Sequence, residues 1–106
     1  MSEELKRILS ELRARLTELY GDRLERLILY GSHARGDAEA ESDIDVLVVL
    51  KGTVRRWEES QRTSEIRADI SLRNNAVVSC MYASMDDYQK DDEPLLENVR
   101  REGVAV

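Results

Sequence analysis

The 106-residue sequence has a single cysteine, no long apolar run and no excess of basic residues. A lone Cys80 cannot form a disulfide within the chain, so nothing here calls for an oxidising compartment. A bilayer-spanning helix needs about 20 consecutive apolar residues. No segment approaches that length, and the expected location is the cytoplasm. The opening MSEELKRILSELRARLTELY brings in acids at once and has helical periodicity, which excludes a secretory leader. The chain carries 16 lysines and arginines against 22 acids, a net charge of −6. General nucleic-acid binders draw most of their affinity from phosphate neutralisation, so direct nucleic-acid binding is not expected. A divalent metal or a basic protein partner suits this charge better. Repeats, low-complexity tracts and linkers are missing too. The length fits one domain over residues 1–106 with a modest core.

What is present is a clear alternation of elements. Leu5, Ile8, Leu9, Leu12, Leu16 and Leu19 recur at spacings of three and four, which predicts an amphipathic helix over 3–20. Ser2 is its expected N-cap and Gly21 its stop. Leu24 and the run from Leu27 to Tyr30 read as a short buried strand ended by Gly31. Residues 44–50 (IDVLVVL) are apolar on both faces, which predicts a central strand covered on both sides. Residues 51–53 form a turn. Residues 54–75 are expected to form a second helix. A competing reading has Ile66, Ala68, Ile70 and Leu72 alternating as a strand. Residues 76–83 read as a third strand, Ser84 as the cap of a short helical turn, and Pro94 as the start of a last helix through Arg101. The expected class is α/β (α+β): a small mixed sheet of three or more strands with flanking helices, most of them on one face.

The chemistry concentrates in GSHARGDAEAESDIDV, residues 31–46. Gly31-Ser32 follows a strand directly, where backbone N–H groups and a hydroxyl can converge on an anion. A helical turn over 32–36 would add a favourable dipole for phosphate, and Gly31 allows close backbone approach. Asp43 and Asp45 stand two apart on a strand, so both side chains point to one face. Two such carboxylates repel each other unless a cation joins them. Magnesium commonly takes one or two carboxylates and completes its shell with water and substrate phosphate. Either half of the pattern alone is ordinary: Gly31 and Gly36 serve as turn glycines elsewhere, and Ser-Asp often starts a strand. Together, on neighbouring strands, they describe a phosphoryl- or nucleotidyl-transfer site.

This pattern of Gly-Ser, ten residues, then Asp-x-Asp resembles the signature of the nucleotidyltransferases related to DNA polymerase beta. The Ala-Arg-Gly continuation and the Ser-Asp-Ile-Asp form are similar to the minimal nucleotidyltransferases (MNT), which often pair with a helical HEPN ribonuclease. The resemblance implies the nucleotidyltransferase fold and transfer of AMP from ATP to an acceptor hydroxyl. In MNT–HEPN pairs it implies an antitoxin that modifies a tyrosine of the toxin. Carried over by position, Gly31 and Ser32 would hold the terminal phosphates, and Arg35 would support the phosphates or brace the loop. Asp43 and Asp45 would ligate magnesium, making Asp43, Asp45 and Ser32 the catalytic set. The chain is short for a separate acceptor-binding domain, so the acceptor is expected from a partner protein or from a second copy in a homo-oligomer.

One part of the family pattern is missing. A third carboxylate normally stands on a later strand, yet the third strand here, AVVSCMYA, offers Ser79 and Cys80 instead. Asp69 is the nearest upstream candidate, on condition that residues 66–72 form a strand. The missing acid motivates a second reading: a catalytically weak module of the same fold that neutralises a HEPN-type toxin by contact alone. An aminoglycoside-type nucleotidyltransferase is a third reading, disfavoured because no drug-binding domain follows. His33 either touches phosphate or lies exposed in the loop. Cys80 is expected to be buried and inert, and Trp57 to belong to packing or a partner surface.

Overall fold

A computed structural model describes residues 1–106. The helix α1 spans Glu3–Tyr20, and the Ser2 side chain accepts the Leu5 N–H at its start. Leu5, Ile8, Leu9, Leu12 and Leu16 are all buried, as their spacing requires. Leu19 instead lies on the exposed side, and Tyr20 takes the last core position. Gly21, at φ +56°, ends the helix and opens a short 3-10 turn, Gly21–Arg23, into strand β1 (Leu24–Tyr30).

A four-residue helix α2 (Ser32–Arg35) and a loop lead to β2 (Ile44–Leu50), which pairs antiparallel with β1. The chain then crosses through α3 (Arg56–Arg62) and α4 (Ser64–Asn74) to β3 (Val78–Ser84), parallel to β2. Two further helices follow, α5 (Met85–Lys90) and α6 (Pro94–Glu102), before β4 (Val104–Ala105) pairs with β1. The sheet order β3-β2-β1-β4 makes it mixed and puts β2 inside. That position accounts for the double-sided apolar run of β2: Val46, Leu47, Val48, Val49 and Leu50 are all fully buried.

The two faces carry separate cores. Leu27, Leu29, Val46, Val48 and Tyr82 meet α1 and Ile70 of α4 on one side. Ile28, Leu47, Val49 and Ala83 meet Leu96 and Val99 of α6 on the other. The helices therefore flank both faces, where the sequence pointed mainly to one. The expected helix over 54–75 is two helices, broken at Thr63 (φ −104°, ψ 2°). Thr63 is completely buried; its hydroxyl meets the Tyr82 hydroxyl and donates to the Glu59 carbonyl at 2.9 Å. A tertiary contact thus sets the break, with no proline or glycine to announce it. The competing strand over 66–72 does not form, because α4 is helical through that range.

A buried carboxylate anchors the end of the sheet formed by the start of β1. Glu59, only 2% exposed, accepts from Tyr20 Oη at 2.9 Å and Arg23 Nη1 at 3.0 Å, and pairs with Arg62 Nε at 3.0 Å. Burial opposes its charge, but these donors outweigh burial and hold the carboxyl below its ordinary range. No helix is long and apolar enough to cross a membrane.

Candidate active site

The opposite end of the sheet gathers the polar residues. β1 ends at Tyr30, whose register partner on β2 is Asp45. Odd-numbered residues of β2 face the α6 side, as the burial of Leu47 and Val49 in that core shows. Asp45 projects to that face, and Asp43, two residues earlier, stands at the mouth of the strand on the same side. Asp43 is exposed and Asp45 half-buried. The pair predicted from its spacing is thus brought together beside the turn that follows β1.

Gly31 makes this approach possible. Its backbone (φ +77°, ψ −156°) lies in a region that side chains rarely adopt. A Cβ built there would fall 3.3 Å from Asp45 Cγ, with the Oδ2 oxygen closer still. The turn and the carboxylate touch only because position 31 lacks a side chain. The short α2 then closes: Ala34 and Arg35 donate to the Gly31 carbonyl at 3.1 and 3.0 Å, and Gly36 ends it in the left-handed region. Ser32, the first residue of α2, is half-buried.

The loop back to β2 is pinned at two points. His33 Nε2 donates to the Ser42 carbonyl at 3.2 Å, which ties α2 to the residue before Asp43. Ser42 Oγ accepts from the Glu39 N–H at 2.9 Å. His33 is therefore half-buried and bonded, which corrects the reading of an exposed loop histidine. Arg35 is gripped from two sides: Nε donates to Asp37 Oδ2 and Nη1 to Glu102 Oε1, both at 3.2 Å. Glu102 lies 67 residues from Arg35 and carries no motif. Only the return of α6 over this face brings it in, so the sequence held no signal for it.

The electrostatics suit a site that could bind a cation. Burial, and then the charge of Asp43, push the Asp45 carboxyl above its ordinary range; His33 and Arg35 pull it back. Burial and the Asp45 charge raise the Tyr30 phenol to about 12, so it stays protonated. No side chain of the chain hydrogen-bonds or ion-pairs with either aspartate; the bonds nearby go to Ser42, Asp37 and Glu102. The donor set is two carboxylates and no nitrogen or sulfur, which suits magnesium, a hard cation that takes the rest of its shell from water and phosphate. No group of three or more His, Cys, Asp or Glu side chains gathers anywhere.

The register shows where a third carboxylate would stand. β3 runs parallel to β2 and sets Ser79 opposite Asp45, on the same face. An acid at position 79 would stand beside the pair, and the chain has serine there. Asp69 does not supply the lack. It lies on helical α4, packed against α1 on the other side of the sheet, and pairs with Arg15 at 2.6 Å and with Arg73. Cys80 faces the α1 side and is partly rather than fully buried, unlike the expectation; burial raises its thiol to about 11, which disfavours the thiolate. Trp57 is 74% exposed and so does not belong to the core.

Comparison with known proteins agrees with this geometry. A family model described as a nucleotidyltransferase domain matches residues 9–98. A relative from Methanocaldococcus jannaschii, named "Putative protein adenylyltransferase MJ0141", is 36% identical over 76 residues, 72% of this chain and 76% of that protein. A crystal structure of a toxin–antitoxin with AMP-PNP matches at a TM-score of 0.58 and 21% identity, over 89% of this chain and 68% of that one. A variant of the toxin–antitoxin MntA-HpeT matches at 0.59 and 17% identity, over 92% and 70%. These structural likenesses show a shared fold. With the family match covering most of its length and the paired aspartates set against a glycine turn, the chain belongs to the nucleotidyltransferase domain family.

Proposed function

We propose that the protein is a magnesium-dependent adenylyltransferase that moves AMP from ATP onto a hydroxyl of a partner protein, most simply a tyrosine of a HEPN-type toxin, and so acts as its antitoxin. The observation that carries this reading is the contact of Asp45 with the Gly31 turn, with Asp43 on the same face. The relative named as a protein adenylyltransferase supports protein as the acceptor. The two toxin–antitoxin neighbours, one with AMP-PNP, support ATP and a toxin partner.

In this reading Gly31 and Ser32 receive the terminal phosphates and Arg35 adds a positive charge to them. Asp43 and Asp45 hold magnesium, which when bound offsets phosphate charge and favours departure of pyrophosphate. The acceptor oxygen forms a bond to the α-phosphorus, the bond from that phosphorus to the bridging oxygen breaks, and pyrophosphate leaves with that electron pair. The acceptor proton goes to solvent, since Ser79 stands where a third carboxylate would receive it. Half-burial of Asp45 and the adjoining core of Ile28 and Leu47 keep bulk water from one side of the reacting phosphate.

Ser79 also favours a second reading, in which the protein neutralises its partner by contact and transfers little or no AMP. One experiment separates the two. The protein is incubated with ATP, magnesium and the product of its adjacent gene, and the partner is weighed by mass spectrometry. A gain of one or more AMP units, lost in Asp45→Asn, supports transfer. A tight complex with no mass gain refutes it in favour of contact alone.

A further inference from the structure

Arg35 would ordinarily be a poor anchor for phosphate. Its side chain is 47% exposed, it sits on a helix of only four residues, and that helix ends at a left-handed glycine. A long cation so placed spends its time in many rotamers, and ordering it weakens binding. Yet it is not free. Glu102 accepts from Nη1 and Asp37 from Nε, while Nη2 takes no partner within the chain. The two acids thus hold the guanidinium at two of its three nitrogens and leave Nη2 without a partner.

Glu102 is much the firmer of the two holds. Its side chain is 22% exposed, against 63% for Asp37. It ends α6, which Leu96 and Val99 bury against Ile28, Leu47 and Val49. The next residue, Gly103, passes so close to β1 that a Cβ there would lie 2.5 Å from both Ile28 Cγ2 and the Val99 carbonyl oxygen. The backbone beside Glu102 is therefore fixed against the strand that leads into Gly31.

We infer that Glu102 is a positioning residue for nucleotide binding: it holds the Arg35 guanidinium in place so that the unpartnered Nη2 meets the terminal phosphates of ATP. The inference rests on the reading of Arg35 as a phosphate contact. It links the end of α6 to the nucleotide site, although nothing in the sequence between them indicates a connection.

The test is a set of calorimetric titrations of ATP and of AMP, each with magnesium, into wild type, Arg35→Ala, Glu102→Gln and the double variant. Arg35→Ala should weaken ATP about tenfold or more, as for loss of a charge-assisted bond. Glu102→Gln should weaken ATP about three- to fivefold, the loss of one rotamer restraint, and leave AMP unchanged because AMP lacks the terminal phosphates. In the Arg35→Ala background, Glu102→Gln should add nothing. A merely structural role for Glu102 would weaken ATP and AMP alike, and would persist without Arg35; either result overturns the inference. So does tighter ATP binding by Glu102→Gln, which would mean that Glu102 competes with phosphate for Arg35. Unchanged ATP affinity in Arg35→Ala fails the underlying reading itself, and the inference falls with it.

Discussion

Replacing Gly31 by alanine should damage this site in two ways that a second glycine allows to be separated. The backbone at Gly31 lies in a region that only glycine enters readily, and holding an alanine there costs about 1–3 kcal/mol. The added Cβ also meets the Asp45 carboxylate. β2 cannot yield, because hydrogen bonds to both β1 and β3 hold it. The carboxylate must turn away instead, by on the order of 1 Å, a misplacement that costs roughly a hundredfold in rate. Gly36 is the control. Its φ is +84°, but a Cβ there meets nothing within 4 Å, so Gly36→Ala carries only a backbone cost of about 1–2 kcal/mol. A domain of this size has about 5–15 kcal/mol in hand, so both variants stay folded. Urea melts should show similar losses of stability, while AMP transfer falls about a hundredfold in Gly31→Ala and no more than a few-fold in Gly36→Ala. Equal activities in the two variants would refute the claim that the turn and the carboxylate are built against each other.

Other consequences can be measured directly. Asp45→Asn and Asp43→Asn should each cut transfer by about 10²-fold or more and abolish the rise in Tm that magnesium gives the wild type; a magnesium-induced rise that survives both would exclude the pair as ligands. Because the folded-state pKa of Asp45 is raised, the metal-free protein should lose stability as pH rises through that pKa. Asp45→Asn should lack this loss in pH-dependent melts. Glu59 has the opposite sign: its depressed pKa contributes stability above the unfolded value and loses it as pH falls through the folded one. Glu59→Gln should therefore cost about 1–3 kcal/mol at neutral pH, and the gap from wild type should close in acid. Ser79→Asp should place a third carboxylate about 5 Å from Asp45, a repulsion of roughly 3 kcal/mol before screening. It should lower Tm without magnesium and enlarge the gain with it, and an unchanged magnesium response would contradict the β2–β3 register as the frame of the site.

The parts legible in the sequence were those that local spacing alone determines. The buried stripe of α1, the doubly apolar β2 and the Gly31-to-Asp45 pattern all repeat over a few residues, and the structure places them as read. Leu19 shows the limit. It continues the apolar spacing, but the helix stops one residue later and Tyr20 turns inward to reach Glu59. β4 could not be read at all, because Val104 and Ala105 become a strand only by pairing with Leu29 and Ile28. Thr63 broke an apparently continuous helix through its contact with Tyr82, 19 residues away. Asp69 could serve as a third acid only on the competing strand reading of Ile66, Ala68, Ile70 and Leu72; of these only Ile70 is fully buried, facing α1 from the helix that the main reading expected.

The site residues divide along the same line, and the division says something about how the site works. Gly31, Ser32, Asp43 and Asp45 lie within fifteen residues, because a hairpin-like return brings both sides of the proposed metal and phosphate region from one stretch of chain. The residues around them come from far away: Glu102, which holds Arg35, from the end of α6, and Ser79, the register partner of Asp45, from a parallel strand reached only after two helices. No side chain hydrogen-bonds or ion-pairs with Asp43 or Asp45, and burial together with the Asp43 charge outweighs what His33 and Arg35 do for ionised Asp45. A chain that keeps this unfavourable pair against a glycine turn gains nothing from it in folding. On the proposed function a bound cation would relieve this interaction, and the stability it costs the metal-free protein would become affinity for that cation. Serine at position 79 limits that cost to two charges, and it is the residue to change first in asking whether two are enough for transfer.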